Sequence, residues 1–112
     1  MEINELTESE FLEVGLLENN ADLLVIESDE HIELIVKALS SKTRRQILQC
    51  IRAGPMDVSN IAAALDMTEA NISAQIKKLE EAQLIFCEYS SGKHGVRKIS
   101  KIKYNQLLLN FA

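Results

Sequence analysis

Apolar positions along this chain change their period twice, and each change marks an element boundary. From Asp29 they recur at helical spacing. Ile32, Ile35, Val36 and Leu39 fall at i, i+3, i+4 and i+7, one buried stripe of a helix that Ser28 or Asp29 can cap. Ser40-Ser41 breaks that helix and caps a second, Lys42 to Ala53, with Ile47, Leu48 and Ile51 inward. Gly54-Pro55 stops it. A third helix starts at Met56 or Asp57 and buries Val58, Ile61, Ala62 and Leu65. Asp66-Met67-Thr68 separates it from a fourth, Glu69 to Gln83, with Ile72, Ile76 and Leu79 inward.

After Gln83 the period drops to that of a strand. Leu84 to Tyr89 reads as one strand, Ser90 to Gly95 as a turn, and Val96 to Ile102 as the return strand. Tyr104 to Phe111 fits a final helix or a strand; the alternation of Leu107, Leu109 and Phe111 favours a strand. Upstream, Thr7-Glu8-Ser9-Glu10 is a capping box opening a helix that would set Phe11, Leu12, Leu16 and Leu17 on one face. Asn19-Asn20 ends that helix, and the short apolar run Leu23 to Ile26 favours a strand.

Charge divides the chain. Its net charge of −5 over 112 residues argues against nucleic acid only until the charges are placed. Met1 to Val36 holds 11 acidic residues and no Lys or Arg, whereas Lys37 to Ala112 holds all 12 basic residues against 6 acidic ones, a balance of +6. The expected organisation is an acidic N-terminal extension, residues 1–28, for dimerisation or regulation, followed by a basic domain, residues 29–112. No apolar run approaches the about 20 residues of a membrane span. The first ten residues carry four glutamates and no base, the reverse of a signal peptide, so a cytoplasmic location is expected. Cys50 and Cys87 stand alone among apolar neighbours and read as reduced core thiols.

Helix, tight turn, helix, then a hairpin with a Gly/Lys-rich tip is the order of a winged helix-turn-helix, a mainly α (α+β) fold. A short turn holds the following helix at a steep angle, so its outer face projects and can enter a major groove. With Ile72, Ile76 and Leu79 inward, the outward set is Ala70, Asn71, Ala74, Gln75, Lys77 and Lys78. Asn71 and Gln75 can pair bidentately with adenine edges, and Ala70 and Ala74 can meet a thymine methyl. Glu69 either complements the helix dipole or accepts from cytosine N4. Thr68, Lys77 and Lys78 suit phosphates, and so do Arg44 and Arg45 unless they form a solvated face paired with acidic neighbours. Ser91, Lys93, His94, Arg97 and Lys98 cluster around Gly92 and Gly95 as a basic wing aimed at the minor groove or flanking phosphates.

Ala38 to Leu48 (ALSSKTRRQIL), Val58 to Leu65 (VSNIAAAL) and Met67 to Ile85 resemble, in that order, the arsenic-repressor-like (ArsR-type) winged-helix regulators. The resemblance runs from about Glu30 to Ile102 and implies prokaryotic DNA-binding repressors, usually homodimers joined through the first helix and terminal elements. Two departures bear on metal sensing. Where the family's sensors place a Cys-x-Cys pair, this chain has Asp57 and Ser59, and Tyr104 to Ala112 lacks the His and carboxylates of the other sensor site. Asp66 stands where a glycine often makes the turn. No metal and no cofactor are therefore expected. No nucleophile–base pair or phosphate-cradling loop suggests an enzyme.

The function expected is a homodimeric, sequence-specific regulator of transcription that binds double-stranded DNA. The other reading is a winged-helix module for protein–protein contact, for which Glu69, Ala70 and Ala74 leave room. The acidic extension either buries its apolar residues in the dimer contact or competes with DNA for the basic face.

Overall fold

A computed structural model describes residues 22–92 and 95–111. The helix expected from Thr7, with Phe11, Leu12, Leu16 and Leu17, lies outside the described residues, as do the wing-tip residues Lys93 and His94. The described elements are β1 (Leu23–Ile26), α1 (Asp29–Leu39), α2 (Lys42–Arg52), β2 (Met56–Asp57), α3 (Val58–Leu65), α4 (Glu69–Glu81), β3 (Ile85–Gly92), β4 (Gly95–Ile102) and β5 (Gln106–Leu109).

Each of these helices begins on a side-chain cap. Ser28 Oγ accepts from the His31 amide at 3.2 Å, Ser41 Oγ from Arg44 at 3.3 Å, Asp57 Oδ1 from Asn60 at 2.8 Å and Thr68 Oγ1 from Asn71 at 3.1 Å. The ends of α3 and α4 follow one rule. Asp66 (φ 54°) and Gln83 (φ 60°) turn left-handed. The next amides, Met67 and Leu84, then reach back to the Ala62 and Leu79 carbonyls at 2.9 and 3.1 Å, closing Schellman-type ends. Helix α4 thus stops at Glu81, two residues before the end expected from its pattern.

The helices enclose a core of Ile35, Ile47, Ile51, Ile61, Ile72, Ile76 and Leu79, all fully buried. Burying each such side chain is worth about 1.5–3 kcal/mol. The strand β4 lies between β2 and β3 in an antiparallel sheet whose register runs from Ile85 opposite Ile102 to Gly92 opposite Gly95. The hairpin arms therefore extend to Gly92 and Gly95, and Ser90 to Gly92 belong to the strand rather than to the expected turn. Strand β2 takes residues the sequence assigned to a helix start, because Met56 and Asp57 pair with Ser100 and Ile99.

Strand β1, placed by the sequence in the 1–28 extension, pairs in parallel with β5, Leu23 opposite Gln106 through Ile26 opposite Leu109. Ile26 is wholly buried in the same core as the helices, so this stretch forms part of the domain. Parallel partners need a long crossover. Here everything between β1 and β5 serves as that crossover.

Candidate nucleic-acid interface

Asp66, Met67 and the cap Thr68 hold α4 against α3 by its Ile72, Ile76 and Leu79 stripe. The opposite face carries exposed Ala70, Asn71, Ala74, Lys77 and Lys78, as the periodicity predicts; Ser73, unassigned by it, is exposed beside them, and Gln75 is half-buried. Among the described residues, the side chains of Lys77 and Lys78 form no ion pair.

Arg44 explains the position of Gln75. Its Nε donates to the Ala38 carbonyl at 2.7 Å and its Nη2 to the Lys37 carbonyl at 3.0 Å, so the guanidinium satisfies the last carbonyls of α1. The remaining arm, Nη1, donates to Gln75 Oε1 at 2.8 Å. Gln75 Nε2 in turn donates to Asn71 Oδ1 at 3.2 Å, and Asn71 Nδ2 lies 3.7 Å from Met67 Sδ. Arg45 likewise donates to the Leu39 carbonyl, at 2.6 Å. The structure thus brings both arginines to the end of α1. Neither pairs with an acidic neighbour among the described residues. The sequence signal for this was the proximity of two arginines to a helix end, which equally suits phosphates.

Glu69 accepts a hydrogen bond from the Ser59 hydroxyl, which ties the start of α4 to that of α3. Thr68 uses an oxygen lone pair as the helix cap and keeps its hydroxyl proton.

The wing is less freely basic than its composition suggests. Arg97 binds the Asp57 carboxylate, donating from Nε at 2.7 Å and also from Nη2. Lys98 pairs with Glu80 on α4 at 2.6 Å and Lys101 with Glu88 on β3 at 2.8 Å. Ser91 is exposed opposite Val96. The Asn60 amide, followed by Arg97, holds the Asp57 carboxyl below its usual value, against the opposing effect of burial. The hydrogen bond to Glu80 pushes Lys98 up, and burial raises the Cys87 thiol, whose Sγ lies 3.4 Å from the buried Ser100 hydroxyl. Asp57, Ser59 and Glu80 were not assigned to the interface from sequence. Asp57 and Ser59, which the sequence resemblance sets at the places of sensor cysteines, act here as a helix cap and a clamp on Glu69. Among the described residues no cluster of His, Cys, Asp and Glu could hold a metal, and no helix is long and apolar enough to cross a membrane.

Residues 39–86 match the model of a helix-turn-helix domain family. The chain is similar to the solution structure of a homodimeric winged helix-turn-helix DNA-binding domain from Mycobacterium bovis, a possible ArsR-family transcriptional regulator. Their identity is 27% over 66% of this chain and 65% of that one, with a TM-score of 0.59. The crystal structure of an ArsR family transcriptional regulator shares 30% identity over 64% of this chain and 75% of that one, with a TM-score of 0.55. That of AntR, an antimony-specific transcriptional repressor, shares 26% over 65% and 62%, with a TM-score of 0.53. A comparison with curated protein sequences finds no match.

Proposed function

Because the chain belongs to the ArsR family of transcriptional regulators, we propose that it binds double-stranded DNA as a homodimer, with α4 in the major groove and the wing on the flanking backbone. The observation that carries this reading is the exposed outer face of α4, with the small side chains of Ala70 and Ala74, the amide of Asn71, and Lys77 and Lys78 without ion pairs among the described residues. Ala70 and Ala74 suit thymine methyls, Asn71 a base edge, and the free hydroxyl proton of Thr68 a phosphate. Ser91, Lys93 and His94 extend the contact from the wing. Arg97 contributes through its half-exposed guanidinium while anchored to Asp57.

The homodimeric relative supports a dimer. Leu23, Val25, Leu108 and Phe111 on and beside the β1–β5 pair are largely exposed, and they favour the terminal strands and the adjoining acidic segment as the place of contact. We assign the protein no catalytic role and a cytoplasmic site of action. The protein-contact reading leaned on Glu69, Ala70 and Ala74, and of these the Glu69 carboxylate is engaged by Ser59.

Binding of the full chain to duplex fragments enriched from a random pool tests the proposal. Affinity is expected to fall steeply between about 50 and 200 mM salt as condensed counterions are released. No binding at the lower salt, or binding without a salt slope, would overturn it.

A further inference from the structure

Between α2, the end of β4 and the start of β5 the domain leaves an apolar cavity of about 220 Å³. Leu84 lines it together with Leu48, Ile102 and Leu107, and these last three pack against the core yet stay half-buried. Covering them would complete their burial, which is favourable. A dry cavity of about 150 Å³ accepts the six carbons of benzene, so this one has room for about eight, the content of two leucine side chains.

The acidic segment joins the domain at the edge of this cavity. Asn105 and Gln106, which also line it, donate their amides to the Asp22 carbonyl at 3.1 and 3.4 Å. The nearest large apolar residues upstream are Leu17 and Leu16, which the sequence pattern sets on the apolar side of residues 1–21. Leu17 stands five positions before Asp22, a reach of at most about 18 Å. Charge agrees. Arg52 lines the cavity, exposed and without an ion pair among the described residues. Glu18 follows Leu17, in a segment with no Lys or Arg.

We propose that this cavity is the docking site of the chain's own N-terminal segment, which places Leu16 and Leu17 inside it. The tether at Asp22 favours this occupant over the segment of a second copy, because a short linker holds it beside the cavity at high effective concentration. The role differs from both that the charge pattern suggests. The acidic segment completes the core of its own domain, and the exposed Leu23, Val25 and Leu108 stay available to a partner copy.

Methyl NMR on the full chain tests the proposal. Nuclear Overhauser contacts are expected from the Leu16 and Leu17 methyls to those of Leu48, Leu84 and Leu107. A sample mixed from labelled and unlabelled copies separates contacts within one chain from contacts between two, and they are expected within one. Leu16→Ala and Leu17→Ala should each lower the folded-to-unfolded ratio about tenfold, and the loss should shrink when Leu107→Ala is already present. Absence of the methyl contacts overturns the proposal and leaves the cavity to another ligand. Contacts found only between copies overturn it in favour of the partner's segment. A ratio unchanged in both leucine variants overturns it as well, since these positions then gain nothing from the cavity.

Discussion

Arg97, near the start of β4, donates from Nε to Asp57 Oδ2 at 2.7 Å while the other oxygen of the same carboxylate caps α3 through the Asn60 amide at 2.8 Å. One buried carboxylate therefore joins the wing to the first helix of the helix-turn-helix pair. Its two oxygens do different work, and so they can be separated by substitution.

Acid should loosen this junction. The Asp57 carboxyl titrates below its reference value of 3.8 in the folded protein, chiefly through the Asn60 amide and then through Arg97. A group whose pKa is depressed by folding stabilises the fold above its unfolded value and loses that contribution as pH falls through the folded one. The melting temperature should thus decline below about pH 4. Asp57→Asn keeps a cap acceptor and should flatten that decline. Asp57→Ala should cost about 1–2 kcal/mol for the cap, with more for the stranded arginine. Thermal unfolding between about pH 3 and pH 7 reads both effects, and equal acid slopes in the parent and Asp57→Asn would contradict the assignment.

Ile26 provides a sharp test of where the domain begins. It is wholly buried among the helices although it lies in the segment that charge alone separates from them. Ile26→Ala should destabilise by about 2–5 kcal/mol, the range for a large core side chain. The exposed neighbour Val25 should tolerate alanine with a change of about 0.5 kcal/mol. Denaturant midpoints at constant slope decide it. An Ile26→Ala loss no larger than that of Val25→Ala would return β1 to the extension.

What the sequence revealed and what it hid follow from contact range. The Ser28, Ser41 and Asp57 caps and the Ile72, Ile76 and Leu79 stripe depend on residues within a turn or two of one another, so spacing alone exposes them. Strand β2 exists only because Met56 and Asp57 meet Ser100 and Ile99, and β1 takes its partner from the far end of the chain. At the interface, the outward face of α4 was legible. The engagement of Gln75 by Arg44 and of Arg97 by Asp57 was not, since these partners lie 31 and 40 positions apart and no local period links them.

Lys77 and Lys78 should act on affinity without acting on base choice. Each is exposed on α4, the helix proposed to enter the groove, and lacks an ion pair among the described residues. Lys77→Gln and Lys78→Gln should each reduce the slope of log affinity against log salt by about 0.9 and weaken binding equally on selected and random duplexes. Titrations at several salt concentrations measure both. A preference that shifts in the Lys78→Gln pool would place that residue on a base instead.

Gln83 carries a local strain that glycine would relieve. It closes α4 in a left-handed conformation, φ 60°, where a side chain crowds its own backbone, and no side-chain hydrogen bond of Gln83 compensates among the described contacts. Gln83→Gly should raise stability by about 0.5–1 kcal/mol once the added freedom of the unfolded chain is subtracted, whereas Gln83→Ala, which retains the Cβ, should gain nothing. The gain should appear as a higher denaturant midpoint at unchanged slope. Operator affinity should remain at the parent value, because the residue follows the helix at the end remote from Asn71 and Gln75. A midpoint that falls in Gln83→Gly would show that the glutamine side chain stabilises the turn more than its Cβ strains it.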